Sequence, residues 1–173
     1  MFKTIGKLFG KKSEPAAPAM TPDEQKAFEL GREISRNQLA KVDQYIAVRF
    51  EQIRFGYLNV IQKQFDSCRQ QDEHSPLLVA RIEYSLYLEH VTEAHEQLLA
   101  EVKHHFHEWT ELNKEMQVED AVDKYLDQSL TDKFTALRLE GLKVMTDNAD
   151  ILKTADDNWR RRFPELAAAQ PLD

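Results

Sequence analysis

The first twelve residues carry the clearest chemical pattern in the sequence. On a helical wheel, at about 100° per residue, apolar side chains and lysines occupy separate arcs with glycines between them. The apolar arc also contains Met1. A segment of this kind lies in a membrane interface, with its lysines among anionic headgroups. We therefore predict a binding site in residues 1–12, formed by Phe2, Lys3, Ile5, Lys7, Leu8, Phe9 and Lys11.

Two binding partners fit this segment: an anionic membrane surface, or an apolar groove in a partner protein. A basic N-terminus with chance periodicity is the third interpretation. Partial burial of five apolar side chains gives about 5–8 kcal/mol, and each of four lysines adds about 1 kcal/mol on an anionic surface. Ordering costs on the order of 1 kcal/mol per residue and removes most of this. We expect weak, reversible binding by one copy.

A second candidate site is a group of histidines at positions 90, 95, 104, 105 and 107. Glu101 and His104 have the Glu-x-x-His spacing of di-iron helical bundles, but those sites use the motif twice. The wheel places Glu101, His104 and Glu108 on one edge, as on a solvated face with carboxylate–imidazole pairs. We expect no bound metal or cofactor; these three residues are the candidate ligands of a metal-binding alternative.

The basic run Trp159–Phe163 closes the last long predicted helix. Cations at a helix C-terminus interact favourably with the helix dipole. In an antiparallel bundle this end lies beside the turn that contains Asp72 and Glu73, so we expect pairing between the arginines and these acids. A second anionic contact site is the functional alternative.

Composition excludes several classes of protein. The chain has a net charge of −7, although residues 1–12 carry four lysines and no acid, so the remaining residues carry −11. An acidic body argues against nucleic-acid binding. The single cysteine, Cys68, excludes an intrachain disulfide and is expected to be a small apolar residue near a helix end. Without a catalytic motif, a secretory segment or a membrane-spanning run, we expect a non-enzymatic, cytoplasmic protein, held at the inner face of the membrane when anchored.

The elements behind these residues are helices. A Pro/Ala linker at 13–20 precedes a helical bundle at 21–163 and a C-terminal tail at 164–173. Thr21 with Glu24 forms a predicted capping box. Apolar residues at spacings of three and four predict helices from Pro22 to about Gln71, from Pro76 to about Met116 and from Glu119 to Phe163. A break in the third helix is predicted at Ser129–Thr131, because both residues are competent N-caps.

Short turns between long helices predict an all-α, elongated antiparallel bundle of three long coiled-coil-like helices, preceded by a detached short amphipathic helix. Several apolar residues lie off the main stripes, and three helices cannot bury all of them. We therefore expect a homodimer or, alternatively, a fourth helix. The surplus residues are Phe50, Phe55, Leu58, Val60, Leu86, Leu99, Leu139 and Leu142.

In layout, an amphipathic segment ahead of a long three-helix coil resembles N-BAR proteins, which coat curved membranes. The resemblance implies a membrane role and transfers no residue assignments, since this body has no helix face lined by lysine and arginine. We expect a membrane-peripheral helical scaffold or adaptor. The alternatives are an interaction protein whose N-terminal peptide docks on a partner, and a metal-binding bundle.

Overall fold

The protein is all-α, as the sequence predicts. The structure is a computed structural model that describes residues 20–116 and 118–171, and these residues contain no strand. The helices are α1 (Pro22–Cys68), α2 (Pro76–His105), α3 (His107–Glu115), α4 (Glu119–Asp147), α5 (Ala149–Arg162) and α6 (Pro164–Ala169). No helix within this part of the chain is long and apolar enough to cross a lipid bilayer.

Helix α1 begins with the predicted capping box. The Glu24 carboxylate accepts a hydrogen bond from the Thr21 backbone N–H at 2.7 Å, and the Thr21 hydroxyl accepts from the Glu24 N–H at 3.3 Å. Pro22 occupies the first helical position, where its missing N–H is not needed. The first buried residue of α1 is Gly31. About the first two turns therefore project beyond the core.

The second predicted helix is interrupted at Phe106, and the third at Asn148. Asn148 Nδ2 donates to the Val144 carbonyl at 2.8 Å, so its side chain competes with the helical backbone and α4 ends there. The predicted break at Ser129–Thr131 is wrong. Leu130, between these two residues, is fully buried in one apolar face of α4 and keeps the segment helical.

Three arms, namely α1, α2–α3 and α4–α5, pack around one core. Tyr45 near the middle of α1 contacts Glu101 near the end of α2, so these two helices run antiparallel. Arg54 on α1 contacts Glu140 on α4, and Phe50 contacts Phe134, so α1 and α4 run parallel. This is the up-down-up arrangement that the short turns predict.

Phe50 corrects the predicted set of surplus apolar residues. It lies within the core, where its ring meets the Phe134 ring edge-on at a centroid distance of 5.4 Å. Leu58 and Leu99 are partly buried against the core. Because α1 contacts both other arms, its buried arc is wider than one apolar stripe. The remaining predicted surplus residues are exposed: Phe55, Val60, Leu86, Leu139 and Leu142.

A buried polar cluster closes the end of the bundle at the α1–α2 turn. Ser75 caps α2 by accepting from the Leu78 N–H, and its hydroxyl donates to the buried Asp156 carboxylate at 2.5 Å. Arg160 Nε donates to the other Asp156 oxygen at 2.6 Å. Gln170, which follows α6, accepts from the Ser75 N–H at 3.0 Å. The chain after Pro164 thus folds back over the turn.

Candidate functional site

The predicted N-terminal binding residues lie outside the described part of the chain. These are Phe2, Lys3, Ile5, Lys7, Leu8, Phe9 and Lys11. Met20 is the first residue that the structure describes and is exposed, and the first buried residue of α1 is Gly31. The N-terminal segment is therefore attached, through the linker, to the projecting tip of α1.

The candidate metal ligands Glu101, His104 and Glu108 do not form a site. Glu101 accepts hydrogen bonds from Arg49 Nε at 2.9 Å and from the Tyr45 hydroxyl at 2.6 Å, and these lower the pKa of its carboxyl group. The interruption at Phe106 places Glu108 on α3, so the helical register that joined it to His104 is broken. Within 20–116 and 118–171, no three His, Cys, Asp or Glu residues are grouped to hold a metal ion.

His95 lies between α2 and α4. Its ring stacks on Phe134 at a centroid distance of 4.9 Å, and its Nε2 atom is buried without a hydrogen-bond partner among the described residues. Burial lowers the pKa of this imidazole, and the positive charge of Arg138 lowers it further. His95 is therefore neutral and half-buried between α2 and α4, whereas His105 stacks on Tyr45 at the surface.

The single thiol, Cys68, is buried at the last residue of α1. Burial raises its pKa to about 11, so the reactive thiolate is scarce at neutral pH. The structure agrees with the prediction that Cys68 lies near a helix end.

The basic run at 159–163 forms one of the pairings predicted with Asp72 and Glu73. Arg162 pairs with Asp72 at 3.3 Å, and Trp159 Nε1 donates to the Asp72 carbonyl at 3.0 Å. Arg160 instead pairs with Asp156 inside the polar cluster. The pairing with Asp72 is confirmed, and these contacts join α5 to the α1–α2 turn.

An apolar groove of about 640 Å³ lies between α1 and α2. Its α1 wall has Gln52, Gly56 and Val60 at spacings of four, so these residues share one helix face. Its α2 wall includes Leu86. Val60 is 56% exposed and Leu86 is 40% exposed, so the groove opens to solvent.

The floor of the groove is aromatic and rigid. Tyr57 and Tyr87 meet edge-on at a centroid distance of 6.3 Å. The Tyr57 hydroxyl donates to the His90 carbonyl at 3.2 Å, and the buried Tyr87 hydroxyl donates to the Leu137 carbonyl at 2.7 Å. Burial raises the pKa of both phenols, so both remain neutral hydrogen-bond donors. The floor is thus preformed.

Gly56 distinguishes this groove from the rest of the surface. A Cβ atom added at Gly56 would meet nothing within 4 Å. At Gly31 and Gly141, in contrast, an added Cβ would lie 2.8 Å from Met116 and 2.2 Å from Tyr87. Packing within the chain thus accounts for two helical glycines and leaves Gly56 unexplained.

The electrostatics of the groove come from its α2 wall. The lining contains one carboxylate, Glu83, and no lysine or arginine. The stretch from Ile82 to Val102 contains five glutamates and no basic residue other than histidine. His90 at the rim pairs with Glu93 at 3.3 Å. An apolar channel with one carboxylate in its lining and no basic side chain suits a ligand that is apolar on one side and cationic on another.

Sequence reasoning identified surplus apolar residues but not this groove. The signal was present in Gly56, Val60 and Leu86, which are a helix-interior glycine and two off-stripe apolar residues. Placing them together requires the register between α1 and α2, which periodicity alone does not give. Comparison with protein-family models, with curated proteins and with solved structures finds no match for this chain.

Proposed function

We propose that this protein is a non-enzymatic helical adaptor that attaches reversibly to an anionic membrane surface through residues 1–12. The observation that carries this proposal is the separation of charge along the chain. Four lysines and no acids occupy residues 1–12, whereas the remaining residues carry −11, since the whole chain has −7. A cationic, amphipathic segment on an acidic body is attracted to anionic lipid while the body is repelled.

The projecting tip of α1 supports this role. The segment precedes a helix end whose first buried residue is Gly31, and the linker at 13–20 adds up to about 26 Å at 3.3 Å per residue. This distance exceeds the Debye length of about 8 Å at physiological salt. The acidic body can therefore stand away from a membrane that the segment contacts.

The buried polar groups of the bundle support an adaptor more than an enzyme. Asn113 donates to the Trp109 carbonyl, and its own carbonyl oxygen accepts from Ser35. Ser75 and Asp156 bond each other in the polar cluster at the α1–α2 turn. These groups serve packing and helix capping, and they are hydrogen-bonded to one another.

Co-sedimentation with vesicles tests the proposal. The full chain should bind vesicles of phosphatidylserine and phosphatidylcholine more tightly than phosphatidylcholine alone. Changing Lys3, Lys7 and Lys11 to Gln should weaken this binding roughly 100-fold, since each lysine contributes about 1 kcal/mol at an anionic surface.

A matched control changes three exposed lysines of α1 to Gln, which gives the whole chain the same net charge as the N-terminal variant: Lys26, Lys41 and Lys63. Binding by this variant should be close to that of the wild type, because the body can stand farther from the membrane than the Debye length. Equal losses in the two variants would show that net charge, and not the N-terminal segment, controls binding. Equal sedimentation with neutral and anionic vesicles would also refute the proposal.

A further inference from the structure

The groove between α1 and α2 is open to solvent, and no part of the described chain fills it. Its floor is formed by paired aromatic rings, and its walls expose Val60 and Leu86. Ile82, one turn before Leu86, is also exposed, at 51%. Apolar side chains grouped along a preformed channel are typical of surfaces that bind an amphipathic helix.

Gly56 indicates that the occupant approaches closely. A glycine in a helix interior costs about 1 kcal/mol relative to alanine. At Gly141 this cost is offset by the Tyr87 ring, which needs the space, but at Gly56 nothing in the described chain uses the space. A glycine on a groove wall allows a second backbone to lie against the helix.

The dimensions of the groove fit residues 1–12. From Gln52 to Gln64 the α1 wall rises about 18 Å at 1.5 Å per residue, and a twelve-residue helix has the same length. In helical form the segment presents Ile5, Leu8 and Phe9 on one face for the aromatic floor.

The charges of the two surfaces are complementary. The segment carries Lys3, Lys7 and Lys11 beside its apolar face. The α2 wall carries Glu83, and Glu93 lies at the rim beside His90. Opposite charges on the two partners fix orientation and speed association.

The segment cannot lie along the groove of its own chain. Even fully extended, the ten residue steps from Lys12 to Pro22 span only about 33–36 Å. The near end of the groove, at Gln52, lies about 45 Å along α1 from Pro22 at 1.5 Å per residue. Lys12 would stop about 10 Å short of the groove, so a helical segment that fills the length of the groove comes from a different copy.

We infer that the α1–α2 groove binds residues 1–12 of a second copy of this chain. Reciprocal exchange of the two segments closes a two-fold dimer. The same segment is then either held in a groove or free for a membrane, so dimerisation and membrane attachment compete. The inference uses the segment named above, but dimerisation in lipid-free solution does not require that the segment bind a membrane.

Sedimentation equilibrium of the full chain in lipid-free buffer tests the inference. The wild-type chain should form dimers, and Gly56→Leu should raise the dissociation constant at least about tenfold by filling the groove. This variant should keep its fold, because a Cβ at Gly56 meets nothing within 4 Å. Circular dichroism checks that the Gly56→Leu variant is folded. Ala47→Leu is the matched control, since Ala47 is exposed on α1 outside the groove, and it should dimerise like the wild type.

The occupant is tested by changing the segment. Changing Lys3, Lys7 and Lys11 to Glu should abolish the dimer, and a peptide of residues 1–14 should dissociate the wild-type dimer. A dimer that Gly56→Leu disrupts but the lysine changes do not would place a different surface in the groove and overturn the inference. A wild-type chain that remains monomeric at about 100 µM would have a dissociation constant above that concentration, and this result would also overturn the inference.

A vesicle measurement separates this inference from the proposed function. Gly56→Leu frees the segment from the partner's groove, so this variant should bind anionic vesicles at least as well as the wild type. The variant in which Lys3, Lys7 and Lys11 are changed to Glu should lose both dimerisation and vesicle binding. Dimerisation without vesicle binding would refute only the membrane role, and vesicle binding by a wild-type monomer would refute only the groove.

Discussion

Gly56 and Gly141 lie in helix interiors with opposite surroundings, and a methyl group added at each position should have opposite effects. Gly56→Ala should stabilise the monomer by about 1 kcal/mol, because alanine restricts the unfolded chain and favours the helix. Gly141→Ala should destabilise it by about 1–3 kcal/mol, because the new Cβ would lie 2.2 Å from the buried Tyr87 ring. Urea unfolding at low protein concentration, where the chain is monomeric, measures both.

The two variants control each other, since each replaces a helical glycine with alanine. Equal stabilisation of both would show that the Tyr87 ring moves aside freely. Destabilisation by Gly56→Ala would show that the groove is already occupied by part of the same chain.

Individual residues were predictable where local chemistry decides their role. Thr21 was predictable as a helix cap because a cap needs only a side-chain oxygen near its own helix start. Phe50 and Gly56 were not, since one is explained by Phe134, far away in sequence, and the other by an empty groove. Asp156 is adjacent to Asp157 on α5, and the sequence gives no sign that only Asp156 is buried.

The junction between α1, α2 and α5 depends on Ser75, which serves two helices. Ser75→Ala should lower the free energy of unfolding by about 2–3 kcal/mol, because it removes an N-cap and leaves the buried Asp156 with Arg160 alone. Chemical unfolding followed by circular dichroism measures this.

Thr21→Ala is the matched control, since Thr21 is also an N-cap but starts the projecting end of α1. Its loss should cost less than about 1 kcal/mol, because the first two turns have few core contacts to lose. If both substitutions cost the same, the bond between Ser75 and Asp156 contributes nothing beyond capping.

The long helices were predictable, but their interruptions were not. Apolar periodicity gave the extent of each arm because a helix that packs along its length repeats that period. Phe106 and Asn148 carry no glycine or proline signal, and α4 ends because the Asn148 side chain bonds both Val144 and Arg69. The bond with Arg69 depends on where the end of α1 lies, which the sequence of α4 does not show.

At the level of the whole bundle, short turns and long helices were enough to predict three packed arms. The groove was beyond that reasoning, because it depends on which faces of α1 and α2 remain uncovered once α4 is in place. A surplus of apolar residues predicts that a partner exists. Only the positions of Gly56, Val60 and Leu86 along one channel indicate what kind of partner fits.

All three arms meet where His95 of α2 stacks on Phe134 of α4, which in turn contacts Phe50 of α1. Burial first, and then Arg138, lowers the pKa of His95 below its ordinary value of 6.5, while Asp127 and Glu96 act in the opposite direction. The unfolded chain therefore binds a proton more readily than the folded chain does. Stability should be full above pH 6.5 and should fall as the pH drops below that value.

Urea unfolding at pH 7.5, 6.5 and 5.5 measures this dependence in a range where carboxyl groups near pKa 4 contribute little. His95→Phe keeps a ring against Phe134 and removes the titrating group, so its stability should change much less over the same range. His107→Gln, at an exposed position of α3, should keep the wild-type dependence. A wild-type stability that is flat from pH 7.5 to 5.5 would mean that the bundle admits a charged imidazole at the contact of its three arms. In that case His95 would not couple protonation to the folding of the whole molecule.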